Sequence, residues 1–150
     1  MEIQYTSVSE LPQEPVLSSL VDLLTVVFFN RSRSKLIAEL TYQQSRTGLQ
    51  MQLALVDGRV VGCKLGYERK KGHYYSWLGG VHPDFRGHGI ASELMRRQHD
   101  WCRTQKYHTV RTQTYNQWRS MLSLNIRFGF DIIGVTQGKR GLAIVLEKKV

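Results

Sequence analysis

Pro83-Asp84-Phe85-Arg86-Gly87-His88-Gly89-Ile90-Ala91-Ser92 joins an apolar strand ending at Val81 to an amphipathic helix through a glycine-rich turn. Gly87 and Gly89 can adopt backbone angles closed to other residues. A helix opening on such a turn leaves several N–H groups unpaired at the positive end of its dipole, so an anion is expected there. The plainer alternative is a turn that merely lets strand and helix pack closely. The spacing of Ile90, Leu94, Gln98 and Trp101, with Met95 and Cys102 beside them, predicts the packed helix face. Arg96, Arg97, His99, Asp100 and Arg103 are assigned to a solvated face. No Lys stands where a nucleotide P-loop requires one. Ser92 occupies the place where a dinucleotide fingerprint requires Gly or Ala, so neither motif fits.

Upstream of the turn, a short strand is predicted at Ile3-Gln4-Tyr5, then helices near Pro15 to Phe28 and Ser34 to Arg46. Strands follow at Leu49 to Val56, Val60 to Glu68 and Tyr74 to Val81. Asp57-Gly58 and Lys71-Gly72 are hairpin signals, so these three strands are expected to be antiparallel neighbours. Downstream, a strand at His108 to Thr114, a helix at Gln117 to Phe128 and strands near Phe130 to Thr136 and Leu142 to Glu147 complete the chain. The strands on either side of the turn and its helix should run parallel. The expected class is a mixed sheet, α/β or α+β, in one domain over residues 1–150. Gly79-Gly80 is unusual inside a strand: a bulge, the close approach of a ligand, or packing could each require bare backbone there.

The 41% hydrophobic content and well-scattered aromatic residues exclude a disordered chain. Cys63 and Cys102 form neither a disulfide framework nor a zinc cluster, and read as reduced packing residues of a cytoplasmic protein; no metal is expected. No signal peptide is read at the N-terminus. The longest apolar run, Leu20 to Phe29, is interrupted and short of the roughly 20 residues a membrane span needs, so no membrane association is expected. The formal charge of +9 favours polyanionic partners, whether a phosphorylated cofactor, an acidic substrate or nucleic acid. Arg69-Lys70-Lys71 reads as a solvated turn rather than a nucleic-acid stripe.

Together these pieces resemble the GNAT superfamily of N-acetyltransferases. The family turn is Arg or Gln, two residues, Gly, one residue, then Gly or Ala, and Arg86-Gly87-His88-Gly89-Ile90-Ala91 matches it. Val81-His82-Pro83 and Asn116, Met121-Leu122, Asn125 and Gly129-Phe130 are also family-like. The resemblance implies a GNAT-like, largely antiparallel mixed sheet with splayed parallel strands and flanking helices. It implies acetyl-CoA as co-substrate, its pyrophosphate held by the backbone of Arg86, Gly87, His88, Gly89, Ile90 and Ala91. It further implies that the Val81 backbone pairs with the pantetheine arm and that Gly79-Gly80 lie near the acyl slot. Asn116 would bind the pantetheine arm, although a helix cap is an equal reading. Many members carry a tyrosine acid where this chain has Asn125, which can at best orient the cofactor; a proton for sulfur would come from water or Tyr115.

The expected reaction is direct attack of a neutral primary amine of a small molecule, peptide or protein on the thioester, with N–H groups near Val81 stabilising the oxyanion. Uncovering a lysine-like amine at pH 7 costs roughly 4.6 kcal/mol, whereas a thiol of ordinary pKa lies only about 2 kcal/mol from its thiolate, so a base matters more than an acid. Glu68, His73, Tyr75 and His82 are candidate bases, with a structural role for His82 as the competing reading. A non-catalytic acyl-CoA sensor and a basic nucleic-acid-associated protein are the alternatives. No basic helix face or aromatic strand signature supports the latter. Self-association into a homodimer is left open.

Overall fold

The computed structural model describes all residues, Met1–Val150. Seven strands, β1 (Gln4–Val8), β2 (Gln50–Val56), β3 (Arg59–Lys70), β4 (His73–Val81), β5 (Thr109–Tyr115), β6 (Asp131–Gly138) and β7 (Gly141–Lys149), form one sheet in the order β1-β2-β3-β4-β5-β7-β6. Four helices flank it: α1 (Val16–Val27), α2 (Arg33–Arg46), α3 (Ile90–Thr104) and α4 (Arg119–Arg127). The predicted elements are all present, and the fold is the mixed, largely antiparallel one expected from the resemblance. Packing divides the chain into two compact units, Met1–Tyr67 with Leu78–Gln98, and Glu68–Trp77 with His99–Val150.

In the first unit β1 pairs antiparallel with β2, and β2 with β3. The β2–β3 hairpin turns on Asp57 and Gly58, both at positive φ, as a two-residue turn matched to strand twist requires. Leu20, Val21, Leu23 and Leu24 of α1 and Leu36 and Leu40 of α2 are buried, as their helical spacing predicts. Ser32 caps α2 by accepting the Lys35 N–H at 3.2 Å. The entrance of α3 packs closely because Gly62 has no side chain. A Cβ there would stand 2.7 Å from Ile90 Cγ2 and 3.2 Å from Leu94 Cδ1.

In the second unit β4 and β5 are parallel over four residue pairs, from His73–Thr109 to Ser76–Thr112, while β5 pairs antiparallel with β7 along its whole length. The Thr112 hydroxyl donates to the Ser76 carbonyl at 3.0 Å where the parallel ladder ends. Arg111 donates from Nε and Nη2 to Glu147 Oε2 at 2.9 and 2.7 Å across β5–β7. Tyr74 packs against Trp101 and Tyr107.

His99 departs from expectation. It is buried rather than solvated, against Phe128 and Phe130, with Lys148 Nζ at 3.2 Å from Nδ1. Met95 and Cys102 are buried as expected, and His99 between them widens the packed face of α3 by one position.

Candidate active site

The chain between β4 and α3 is built to expose backbone. His82 N–H donates to the Val61 carbonyl at 2.8 Å, holding the end of β4 against β3. Pro83–Phe85 then forms a single 3-10 turn, capped by His82 Nδ1, which accepts the Asp84 N–H at 3.1 Å. Arg86 folds back, its Nε donating to the Val81 carbonyl at 3.2 Å. Gly87 and Gly89 follow at φ +81° and +76°, with nothing within 4 Å of where a Cβ would stand on either. Their glycine requirement is therefore conformational, not steric.

The consequence is a row of donors. The N–H groups of Gly87, His88, Gly89, Ile90, Ala91 and Ser92 find no acceptor in the chain, and the first intrahelical bond runs from Glu93 N–H to the Gly89 carbonyl at 3.0 Å. They stand at the positive end of a helix of 15 residues on a surface turn, the arrangement that binds phosphate groups. By contrast, the surface depression lined by Glu2, Gln4, Asp57 and Gly58 presents two carboxylates and suits no polyphosphate.

Gly79 and Gly80 obey a different rule. Along β4 the buried positions are Tyr74, Ser76 and Leu78, then the alternation loses phase and resumes at Val81. A Cβ on Gly80 would meet Val27 Cγ1 of α1 at 2.6 Å, so close helix packing demands this glycine. Gly79 is half-exposed. A Cβ there would have ordinary contacts, 3.4 Å from the Cys63 carbonyl and 3.7 Å from Lys64 Nζ. Of the readings open for the pair, packing accounts for Gly80 and leaves Gly79 without a steric reason.

Lys64 was not among the sequence candidates. It lies in the middle of β3, 7% exposed, and no hydrogen bond or ion pair reaches its ammonium. Burial lowers its pKa to about 8, against a weaker opposing influence from Cys63. The only sequence signal is a lone cation inside the strand run Val60-Val61-Gly62-Cys63-Lys64-Leu65. Burial pushes the Cys63 and Cys102 thiols up to about 12, which fits packing and leaves neither a ready nucleophile.

The sequence model of the "Acetyltransferase (GNAT) family" matches residues 17–125, spanning α1 to α4. The chain belongs to the GNAT family of acetyltransferases. An acetyltransferase of Pectobacterium atrosepticum is 50% identical over 46 residues, covering 30% of this chain and 31% of that protein. Among solved structures, Arabidopsis thaliana Naa50 in complex with the bisubstrate analogue CoA-Ac-MVNAL superposes with a TM-score of 0.77, at 22% identity and 100% of both chains. The PaiA N-acetyltransferase of Thermoplasma acidophilum in complex with coenzyme A gives 0.74, at 14% identity and likewise 100% of both chains. At these identities the likeness is one of GNAT fold.

The remaining sequence candidates fall as follows in this GNAT chain. Val81 is buried with Ala54, Val61, Ile90 and Leu94. His82 uses Nδ1 as an acceptor, which places the hydrogen of the neutral ring on Nε2, so neither nitrogen offers a free lone pair. Glu68, exposed in the second unit, accepts the Tyr107 hydroxyl at 3.0 Å. Tyr75 is half-buried in the second unit, opposite Arg111 in the β4–β5 ladder. His73 packs edge-on to His108, with ring centroids 4.8 Å apart, and its pKa is lowered by desolvation and then by Lys70.

Asn116 is exposed and its side chain makes no hydrogen bond. The cap position of α4 is Trp118, so capping does not explain Asn116. Asn125 is buried on α4 with Oδ1 lacking any partner, an orphan that a native fold rarely keeps. Tyr115 stacks edge-on with Trp118 and lies against Gly138, where its hydroxyl would meet a Cβ.

Proposed function

We propose that this GNAT chain is an acetyl-CoA-dependent N-acetyltransferase, passing an acetyl group to a primary amine of a small molecule, peptide or protein by direct attack in a ternary complex. The observation that carries the reading is the run of unpaired N–H groups from Gly87 to Ser92, on the turn that matches the family motif. Arg86, Gly87, His88, Gly89, Ile90 and Ala91 would hold the pyrophosphate mainly through backbone. Arg86 contributes by bonding the Val81 carbonyl, which braces the turn. The residues fit such a co-substrate in a second respect: Asn125 Oδ1 needs a donor and Asn116 is uncommitted, and both are proposed to serve the pantetheine arm. When bound, acetyl-CoA supplies an activated thioester carbonyl.

The backbone at Val81 is proposed to stabilise the oxyanion, since a buried N–H aimed at developing charge gains strength from the low local dielectric. His82 is better suited to holding the turn than to taking a proton. Glu68 and Tyr75 stay candidate bases acting through water. Asn125 cannot donate as an acid, so its proposed role is orientation alone.

The test is calorimetry of acetyl-CoA, ATP and NADH at equal ionic strength, followed by an assay over a panel of amines that reads free thiol and product mass together. Acetyl-CoA should bind tightest, raise thermal stability and be consumed with an acetylated amine as product. Tighter binding of ATP or NADH would overturn the cofactor assignment. Binding without turnover of any amine would favour an acyl-CoA sensor, and salt-sensitive binding of RNA in place of acetyl-CoA would favour the nucleic-acid reading.

A further inference from the structure

A polar row crosses the first unit. Ser7 on β1 lies opposite Gln52 on β2, and Gln52 opposite Lys64 on β3. Ser7 Oγ accepts from Gln52 Nε2 at 3.0 Å and from the neighbouring Gln50 Nε2 at 2.7 Å, which turns both amides toward β1 and away from any pairing with Lys64. The row ends at the bare backbone of Gly79, where Lys64 Nζ lies 3.7 Å from the point a side-chain Cβ would occupy. Lys64 is thus more than nine-tenths buried, has no anion, and borders a half-exposed site with no side chain in it. Burying a lysine side chain this deeply with no counter-ion for its ammonium is unfavourable in a fold, and an apolar residue of similar length would serve packing better. Gly79 is equally unexplained by packing, since alanine would fit there.

Both anomalies are resolved by one occupant. We propose that Lys64 and Gly79 form an anion seat that selects acceptors carrying a carboxylate in addition to the amine that is acetylated. The bare Gly79 backbone lets a carboxylate approach, and the Lys64 ammonium meets it with a charge-assisted hydrogen bond at a largely buried side chain. This rests on the transferase reading for its word "acceptor", while the seat itself rests only on the geometry of β3 and β4.

The experiment pairs acids with their amides. Amino acids from glycine to 6-aminohexanoate and the corresponding amides are assayed as acceptors. Separately, N-acetylglycine and N-acetylglycinamide are titrated while the Lys64 ε-carbon is followed by NMR, its signal assigned by loss in Lys64→Met. At least one acid should exceed its amide in kcat/KM by about tenfold or more, through KM. Lys64→Met should abolish that ratio. Gly79→Ala, which the local spacing tolerates, should reduce it by filling the seat. N-acetylglycine should shift the Lys64 signal and N-acetylglycinamide should not. Equal use of acid and amide with no shift of Lys64 overturns the seat even if acetyl transfer proceeds. A fall in kcat of Lys64→Met that is the same for acid and amide also overturns it, assigning Lys64 to the transfer step. A Lys64 shift with no acetylation of any amine upholds the seat and overturns the transferase reading.

Discussion

Gly79-Gly80 and Gly87/Gly89 lie within one short stretch of chain, yet the two sets of glycines are there for opposite reasons. At Gly87 and Gly89 the space beyond the backbone is empty and the φ angles are positive, so the glycine serves conformation. At Gly80 the space is filled by Val27, and at Gly79 it is bordered by Lys64, with no positive φ at either. A side chain is excluded by backbone conformation at Gly87 and Gly89 and by Val27 at Gly80, whereas Gly79 has room for an alanine. Substitutions should therefore fail differently: in the turn by losing an anion site while the fold stands, at Gly80 by disturbing the helix that packs against it.

The largest effect expected is at the neighbour of Gly79. The folded-state pKa of Lys64 is about 8 against 10.5 for the free side chain, so the unfolded chain holds more protons between those values. Below about pH 8 the full cost of burying the charge is present. As pH rises toward 10.5 that cost is relieved, and wild-type stability gains from this group. Lys64→Met lacks the group, so its stability advantage over wild type should be greatest below pH 8 and shrink by about 3 kcal/mol by pH 10.5. Urea unfolding of both proteins across that range checks it; a pH-independent difference would show that Lys64 is not held unpaired.

Next in size is Gly89→Val. A β-branched residue at φ +76° costs about 2 kcal/mol, which should appear as roughly a thirtyfold loss of acetyl-CoA affinity as the turn leaves its donor geometry. Calorimetry with a circular dichroism control separates this from misfolding. Unchanged affinity would make the turn merely structural and erase the contrast with Gly80.

Gly80→Ala should destabilise by about 1.5 kcal/mol through overpacking on Val27, and Val27→Ala in the same chain should restore much of it. Gly87→Ala should show no such rescue by Val27→Ala. Thermal denaturation of the three variants tests the steric half of the comparison directly.

The smallest effect is expected at Asn125. Asn125→Ala should lower turnover by less than about tenfold, or about 1.4 kcal/mol, and leave the basic limb of the pH profile in place, because an amide orients without exchanging protons. A loss above about a hundredfold with acetyl-CoA affinity intact would assign this position to proton delivery through water.

Element order and the turn were legible in the chain because both depend on local rules: periodicity, hairpin pairs such as Asp57-Gly58, and a spacing of glycines. What escaped depends on tertiary neighbours. Nothing local to His99 reveals that Phe128 and Phe130 close over it, and nothing in Gly79-Gly80 distinguishes contact with Val27 from contact with a ligand. His82 illustrates a middle case: the sequence offers both a candidate base and a structural residue beside Pro83, and the hydrogen bond from the Asp84 N–H adds the particular capping contact. Lys64 carried a readable signal, a charge inside an apolar strand, but hairpin strands often carry exposed lysines and the burial of this one is decided by its neighbours.

The donors of the turn also make it self-reporting. Amide protons with no acceptor exchange with solvent as freely as their exposure allows, whereas those deeper in α3 are protected by the helix. Residues 87 to 92 should therefore take up deuterium within the shortest labelling times when the protein is free. Slowed uptake confined to these six residues on adding an anionic ligand would map the cradle on the backbone itself, without a substitution and before any acceptor amine is known.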